Sequence, residues 1–123
     1  MAQCVPFLKV ADIVATIEWY KNIGFQCTAT NHIWEPEDSE LNWAEIAWGN
    51  AIFMIGPDER STIPEIKDTS LWFNVDTVDG IIEILNIKGI PITIEPETFY
   101  GRKVVSFVDI NGFDVSFSCE LAK

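Results

Sequence analysis

What most limits how this chain can fold is that part of it occurs twice. Residues 71–90, LWFNVDTVDGIIEILNIKGI, laid without a gap on residues 6–25, place Val75 on Val10, Ile82 on Ile17, Glu83 on Glu18 and Gly89 on Gly24. Four identities are little, but the apolar positions repeat too: Val78, Ile81, Ile82 and Leu85 fall on Ile13, Thr16, Ile17 and Tyr20, on the spacing of one helix face. In each copy a short β-branched or aromatic run suited to a strand comes first, and a glycine follows the helix where a left-handed residue ends it. A strand-plus-helix unit found twice predicts two modules of like architecture.

The chain has 123 residues, 48% of them apolar, enough for one domain with a real core and too few for two independent ones. No apolar run nears the roughly 18 residues of a membrane span, and MAQCVPFLKV lacks the basic region, apolar core and cleavage site of a leader, so a cytoplasmic location is expected. Cys4, Cys27 and Cys119 form no CxxC pair and leave one over, which argues for a reduced compartment and for three small buried side chains. Eight basic residues against 19 acidic ones give a net charge of −11. That charge repels phosphate backbones and anionic membranes and favours a cationic ligand, although it also serves solubility alone.

In chain order, residues 3–10 read as a strand, Asp12 as the cap of a helix over residues 13–22, and residues 25–31 as a second strand. An acidic, proline-containing loop follows at 35–40, then strands at 41–48 and 51–55 joined by the turn pair Gly49 and Asn50. This makes a βαβββ module over about residues 3–56. Residues 57–68 read as a linker, and a second module over about 69–119 repeats the order: strand from residue 70, helix to 88, strand at 90–94, loop at 95–102, and strands at 103–108 and 113–118 around the turn at 109–112. The fold class expected is α+β, one domain of two tandem modules whose curved mixed sheet surrounds a groove.

At this level the sequence resembles the vicinal oxygen chelate superfamily, which includes glyoxalases, bleomycin resistance proteins and extradiol dioxygenases. The residues that carry the resemblance are Trp19 and Tyr20, the run Ile23, Gly24 and Phe25, the segment from Val75 and Asp76 to Gly89, and the closing run from Tyr100, Gly101 and Arg102 to Asp109, Ile110, Asn111 and Gly112. Metal-using members hold a divalent ion on the first and last strands of each module. Carried onto this chain, those positions are Val5, Ser70, Phe53 and Ser116, which make no competent ligand set. A set drawn from Cys4, Cys119, Glu45 and Asp114 is opposed by strand parity. No metal and no other cofactor is expected.

Strand parity also gives the expected lining of the groove: Val5, Phe7 and Lys9, Ser70, Trp72 and Asn74 on first strands, and Ala51, Phe53, Ile55, Asp114, Ser116 and Ser118 on last strands. Trp43 and Glu45 on the third strand and Trp34, Phe99 and Tyr100 on loops complete it. The ligand-binding candidates are Phe7, Lys9, Trp34, Trp43, Glu45, Phe53, Trp72, Asn74, Tyr100, Asp114 and Ser116; none is a catalytic candidate. Parity favours Trp72 as a groove residue over the alternative of a packed core aromatic, and Lys9 and Asp114 read as groups that orient a ligand or act as acid or base, with a salt bridge at the groove edge as the alternative. His32 reads as a surface residue, and no serine has a histidine partner in view. The resemblance implies a homodimer that binds a small organic molecule, cationic or aromatic, as in antibiotic resistance of the bleomycin type. The alternative is a lyase, isomerase or dioxygenase of the same superfamily.

Overall fold

The computed structural model describes residues 2–60, 63 and 67–121. The order is β1 (Phe7–Val10), α1 (Ile13–Asn22), β2 (Gln26–Thr30), a 3-10 turn (Asn31–Ile33), β3 (Ala44–Trp48), β4 (Ala51–Pro57), β5 (Ser70–Asn74), α2 (Asp79–Ile87), β6 (Thr93–Glu95), β7 (Arg102–Val108) and β8 (Asp114–Glu120). Two compact units result, Met1–Ile63 and Pro64–Lys123. Each holds one four-stranded mixed sheet, ordered β1-β4-β3-β2 and β5-β8-β7-β6. In both the first strand pairs in parallel with the last, and the other pairings are antiparallel. The expected α+β class and the two βαβββ modules are therefore what the chain forms.

In the first unit, Asp12 caps α1 by accepting the Ala15 N–H at 3.0 Å, and Ile13, Thr16, Ile17 and Tyr20 are all buried. The helix packs on β2, β3 and β4. Behind the sheet Tyr20 meets Phe25 edge-on at 5.0 Å and Phe53 at 5.2 Å, and Phe25 reaches Trp48 at 5.0 Å. In the second unit Val78, at the N-cap of α2, and Ile81 and Leu85 of the helix are buried, and Lys103 reaches Asp79 in its first turn at 3.5 Å. Lys103 shares its side of β7 with Val105 and Phe107, so α2 lies over the face where Phe73 and Phe117 stack at 4.9 Å.

Several expected boundaries shift. The first strand begins at Phe7 rather than residue 3, β3 at Ala44 rather than 41, and β6 at Thr93 rather than 90, while β4 runs on to Pro57 and β8 to Glu120. Residues 61, 62 and 64–66 of the expected linker lie outside the described residues. One shift has larger consequences. Leu8 pairs with Ile55 and Phe73 with Phe117, so the last strands correspond at an offset of 62, whereas the turn glycines Gly49 and Gly112 correspond at 63. The first module carries one more residue between turn and strand, and a one-residue slip exchanges the faces of a strand. Phe53 and Ile55, expected in the groove, are thus buried behind the sheet against α1, and Ile52, Met54 and Gly56 take the opposite face. Cys4, expected to be buried, is exposed ahead of β1; Cys27 is half-buried and Cys119 buried.

Candidate functional site

Apart from Phe53 and Tyr100, the candidate residues collect on or against the sheet faces that the helices leave free. On the first sheet, alternation in β1 buries Leu8 and Val10 and turns Phe7 and Lys9 outward. Phe7 pairs with Met54, and Met54 with Glu45, which sets the three in a row across the face. Gly56 makes room for this row. A Cβ there would lie 2.8 Å from the tip of the Phe7 ring, so the ring rests where a side chain would stand.

Trp43, just before β3, points its indole N–H at the Met54 sulfur at 3.3 Å, and the Trp34 ring lies 5.2 Å from that of Trp43 at 42°. Trp34 nonetheless stays 59% exposed. The loop that brings it there is fastened by Asn31, which is fully buried. Its amide donates to the Glu35 carboxylate and to the Glu40 carbonyl at 3.0 Å, and its Oδ1 accepts the Asn42 N–H at 2.9 Å. The His32 ring is engaged with the Ser39 carbonyl at 2.8 Å, so the acidic loop is tied down and His32 belongs to its scaffold. Glu45 accepts the Thr28 hydroxyl at 2.8 Å, which fixes its carboxylate on the same face as the aromatic rings.

On the second sheet, register pairs Ser70 with Asp114, Trp72 with Ser116 and Asn74 with Ser118, all on the face opposite α2. Trp72 is half exposed and donates its indole N–H to Asn74 Oδ1 at 3.0 Å. The Ser116 and Ser106 hydroxyls bond at 2.8 Å. Asp114 lines a depression of about 340 Å³ with Pro91, Ile92, Thr93 and Ser106. Tyr100 stands on the turn before β7, edge-on to the fully exposed Phe99 at 4.9 Å.

Sequence reasoning missed Arg102 by ending the loop on it. It is the first residue of β7 and shares a face with Ser106, and its guanidinium bonds Ser118 and Asn74. Its two-residue spacing from Val104 and Ser106 was the available signal. Asn31, missed too, carried none beyond being a polar residue beside a loop.

No family profile and no curated protein matches the sequence. Solved structures do. A bleomycin resistance determinant encoded on transposon Tn5 is similar at 16% identity over 99% of this chain and 100% of its own, with a TM-score of 0.78. A bleomycin-binding protein solved with bleomycin is 16% identical over 98% and 100%, TM-score 0.74. A glyoxylase/bleomycin resistance protein/dioxygenase domain from Frankia sp. EAN1pec is 17% identical over 98% of each chain, TM-score 0.73.

The chain has the glyoxalase/bleomycin resistance fold.

The resemblance to the vicinal oxygen chelate superfamily, whose metal-using members hold an ion on the first and last strands of each module, raises the question of a metal at the same positions here. Val5 offers no lone pair, and the register puts Met54 rather than Phe53 on the free face of β4. Ser70 and Ser116 are neutral hydroxyls, the latter bonded to Ser106. Among the described residues no three His, Cys, Asp or Glu side chains gather as a metal site. This donor set does not fit a divalent ion. The fold here thus brings together Phe7, Trp34, Trp43 and Glu45 on one sheet, with Lys9 on the same face, and Trp72, Asn74, Ser116 and Asp114 on the other, and it removes Phe53 from the set.

Proposed function

We propose that this protein binds a small cationic aromatic molecule on the free face of its first sheet, without a metal and without turning it over. The observation that carries the reading is the cluster of Trp34, Trp43, Phe7 and Met54 beside the held carboxylate of Glu45. Aromatic faces attract a cation through their quadrupole, by about 0.5–2 kcal/mol each, and a fixed carboxylate adds charge complementarity. A net charge of −11 raises the local concentration of such a ligand. The bleomycin-binding protein of the same fold lends the reading support, and sequestration in antibiotic resistance is the role it suggests.

Tryptophan fluorescence during titration with bleomycin and a panel of cationic aromatic compounds tests this. Binding tighter than about millimolar is expected for at least one, weakened about tenfold or more by Trp43→Ala and by Glu45→Gln. No binder across a broad panel would contradict it. Elemental analysis of protein purified without chelator should find no stoichiometric divalent metal, and one equivalent would overturn the metal-free reading. The working unit is taken as a cytoplasmic homodimer, as the resemblance implies; a monomer in sedimentation velocity would contradict that.

A further inference from the structure

We propose that the end of the second sheet where Asn74, Arg102 and Glu120 meet is a subsite for a zwitterion, an ammonium compound with a carboxylate close by, of the amino-acid type. A depression of about 420 Å³ lies there, lined by Asn74, Val75, Asp76, Arg102 and Glu120. Its cation is built in. Thr98 and Arg102 close a turn with reciprocal bonds, Thr98 N–H to the Arg102 carbonyl at 2.9 Å and Arg102 N–H to the Thr98 hydroxyl at 3.0 Å. Gly101, at φ +80°, allows the chain to turn between them. The Arg102 guanidinium is then held along one edge, Nε by the Ser118 hydroxyl and Nη2 by the Ser118 carbonyl at 3.2 Å and Asn74 Oδ1 at 3.4 Å.

All these partners are neutral. In a chain with 19 acidic residues, Arg102 forms no ion pair among the described residues, and its Nη1 has no protein acceptor there. Asn74 is fixed by the same bonds. The Trp72 indole and the Arg102 guanidinium can only donate, so the atom they share is the amide oxygen, and the Asn74 NH2 group is left to donate elsewhere. Arg102 and Asn74 therefore offer the depression a forked set of N–H donors suited to a carboxylate. Asp76 and Glu120, at its wall and without ion pairs among the described residues, offer acceptors for an ammonium.

Charge decides the class of ligand. One guanidinium faces two carboxylates, so a simple anion meets repulsion from Asp76 and Glu120 and a simple cation meets it from Arg102. A zwitterion in which the two groups are a few bonds apart satisfies both. This subsite is built from the second sheet and the aromatic cluster from the first, so its reporter is Trp72 rather than Trp34 or Trp43.

Three probes with one ring and different charge test it: L-phenylalanine, phenethylamine and phenylacetate, each titrated while the Trp72 indole N–H is followed by NMR. L-phenylalanine is expected to bind about tenfold or more tighter than either half-molecule. Arg102→Gln should bring L-phenylalanine to the level of phenethylamine, and Arg102→Lys, which keeps the charge and loses the fork, should not restore it. Glu120→Gln, at an exposed position, should weaken L-phenylalanine and spare phenylacetate. Equal affinity for L-phenylalanine and either half-molecule, or unchanged L-phenylalanine affinity in both Arg102→Gln and Glu120→Gln, would overturn the proposal.

Discussion

Phe53→Ala tests the register that separates core from ligand face. Phe53 is 1% exposed and sits in a cluster with Tyr20 and Phe25, at centroid distances of 5.2 and 6.3 Å. Truncating it removes the transfer energy of a full aromatic side chain and leaves a cavity ringed by aromatics, a loss of about 3–5 kcal/mol. For a chain of this length that is about 12–20 °C in Tm, and a large part of the stability of an ordinary domain. Met54, its neighbour on the opposite face, is only half-buried, so Met54→Ala should cost about 1 kcal/mol. Urea unfolding followed by circular dichroism measures both, read as a shift in midpoint at constant slope. A single transition is also what one domain predicts, and two would contradict that reading. If Met54→Ala proved the costlier substitution, the argument that places Phe53 behind the sheet would be refuted.

Gly56→Ala should change stability by about 1 kcal/mol or less, because the Phe7 ring tip in its way is the free end of a half-exposed side chain; cationic aromatic binding should nonetheless weaken, since Phe7 leaves the face, and unaltered binding would argue against its part in the site. Asn31→Ala strips partners from Asn42, Glu35 and Glu40 together and should cost about 2 kcal/mol or more by urea midpoint. It should also free Trp34, seen as a red shift in emission. Timed alkylation followed by mass spectrometry should modify exposed Cys4 first. Cys27 should lag, because burial pushes its thiol up despite an opposing backbone hydrogen bond at Ala29. With a raised value the folded state favours the protonated thiol, so stability from this group is retained below the ordinary thiol range and declines as pH climbs through the raised value.

The repeat made the architecture legible because strand and helix periodicities are local properties of the chain, and both helices bury most of the positions their spacing predicted. Phe7 and Lys9, and Trp72 and Asn74, were readable for the same reason, their strands being in step with their neighbours in sequence. Phe53 was not. Its face depends on how many residues separate a turn from the point where β4 enters register, and two glycines aligned at the turn conceal one extra residue. Arg102 was lost to a strand boundary one residue out, and Asn31 because its role lies in loop partners 4 to 11 positions away that no periodicity announces. Gly56 reads in sequence only as the end of the first module, and the ring lying across it reveals why a side chain is absent.

The most direct measurement on the ligand-binding claim is the set of five tryptophan indole N–H resonances during titration with a cationic aromatic compound. The Trp43 proton already points at the Met54 sulfur and Trp34 lies against Trp43, whereas Trp48 is packed on Phe25 and Trp19 on Tyr20. Saturable shifts of Trp34 and Trp43, with Trp19 and Trp48 unmoved, are the predicted result. Titration that leaves Trp34 and Trp43 in place, or that moves Trp19 and Trp48 instead, would contradict it.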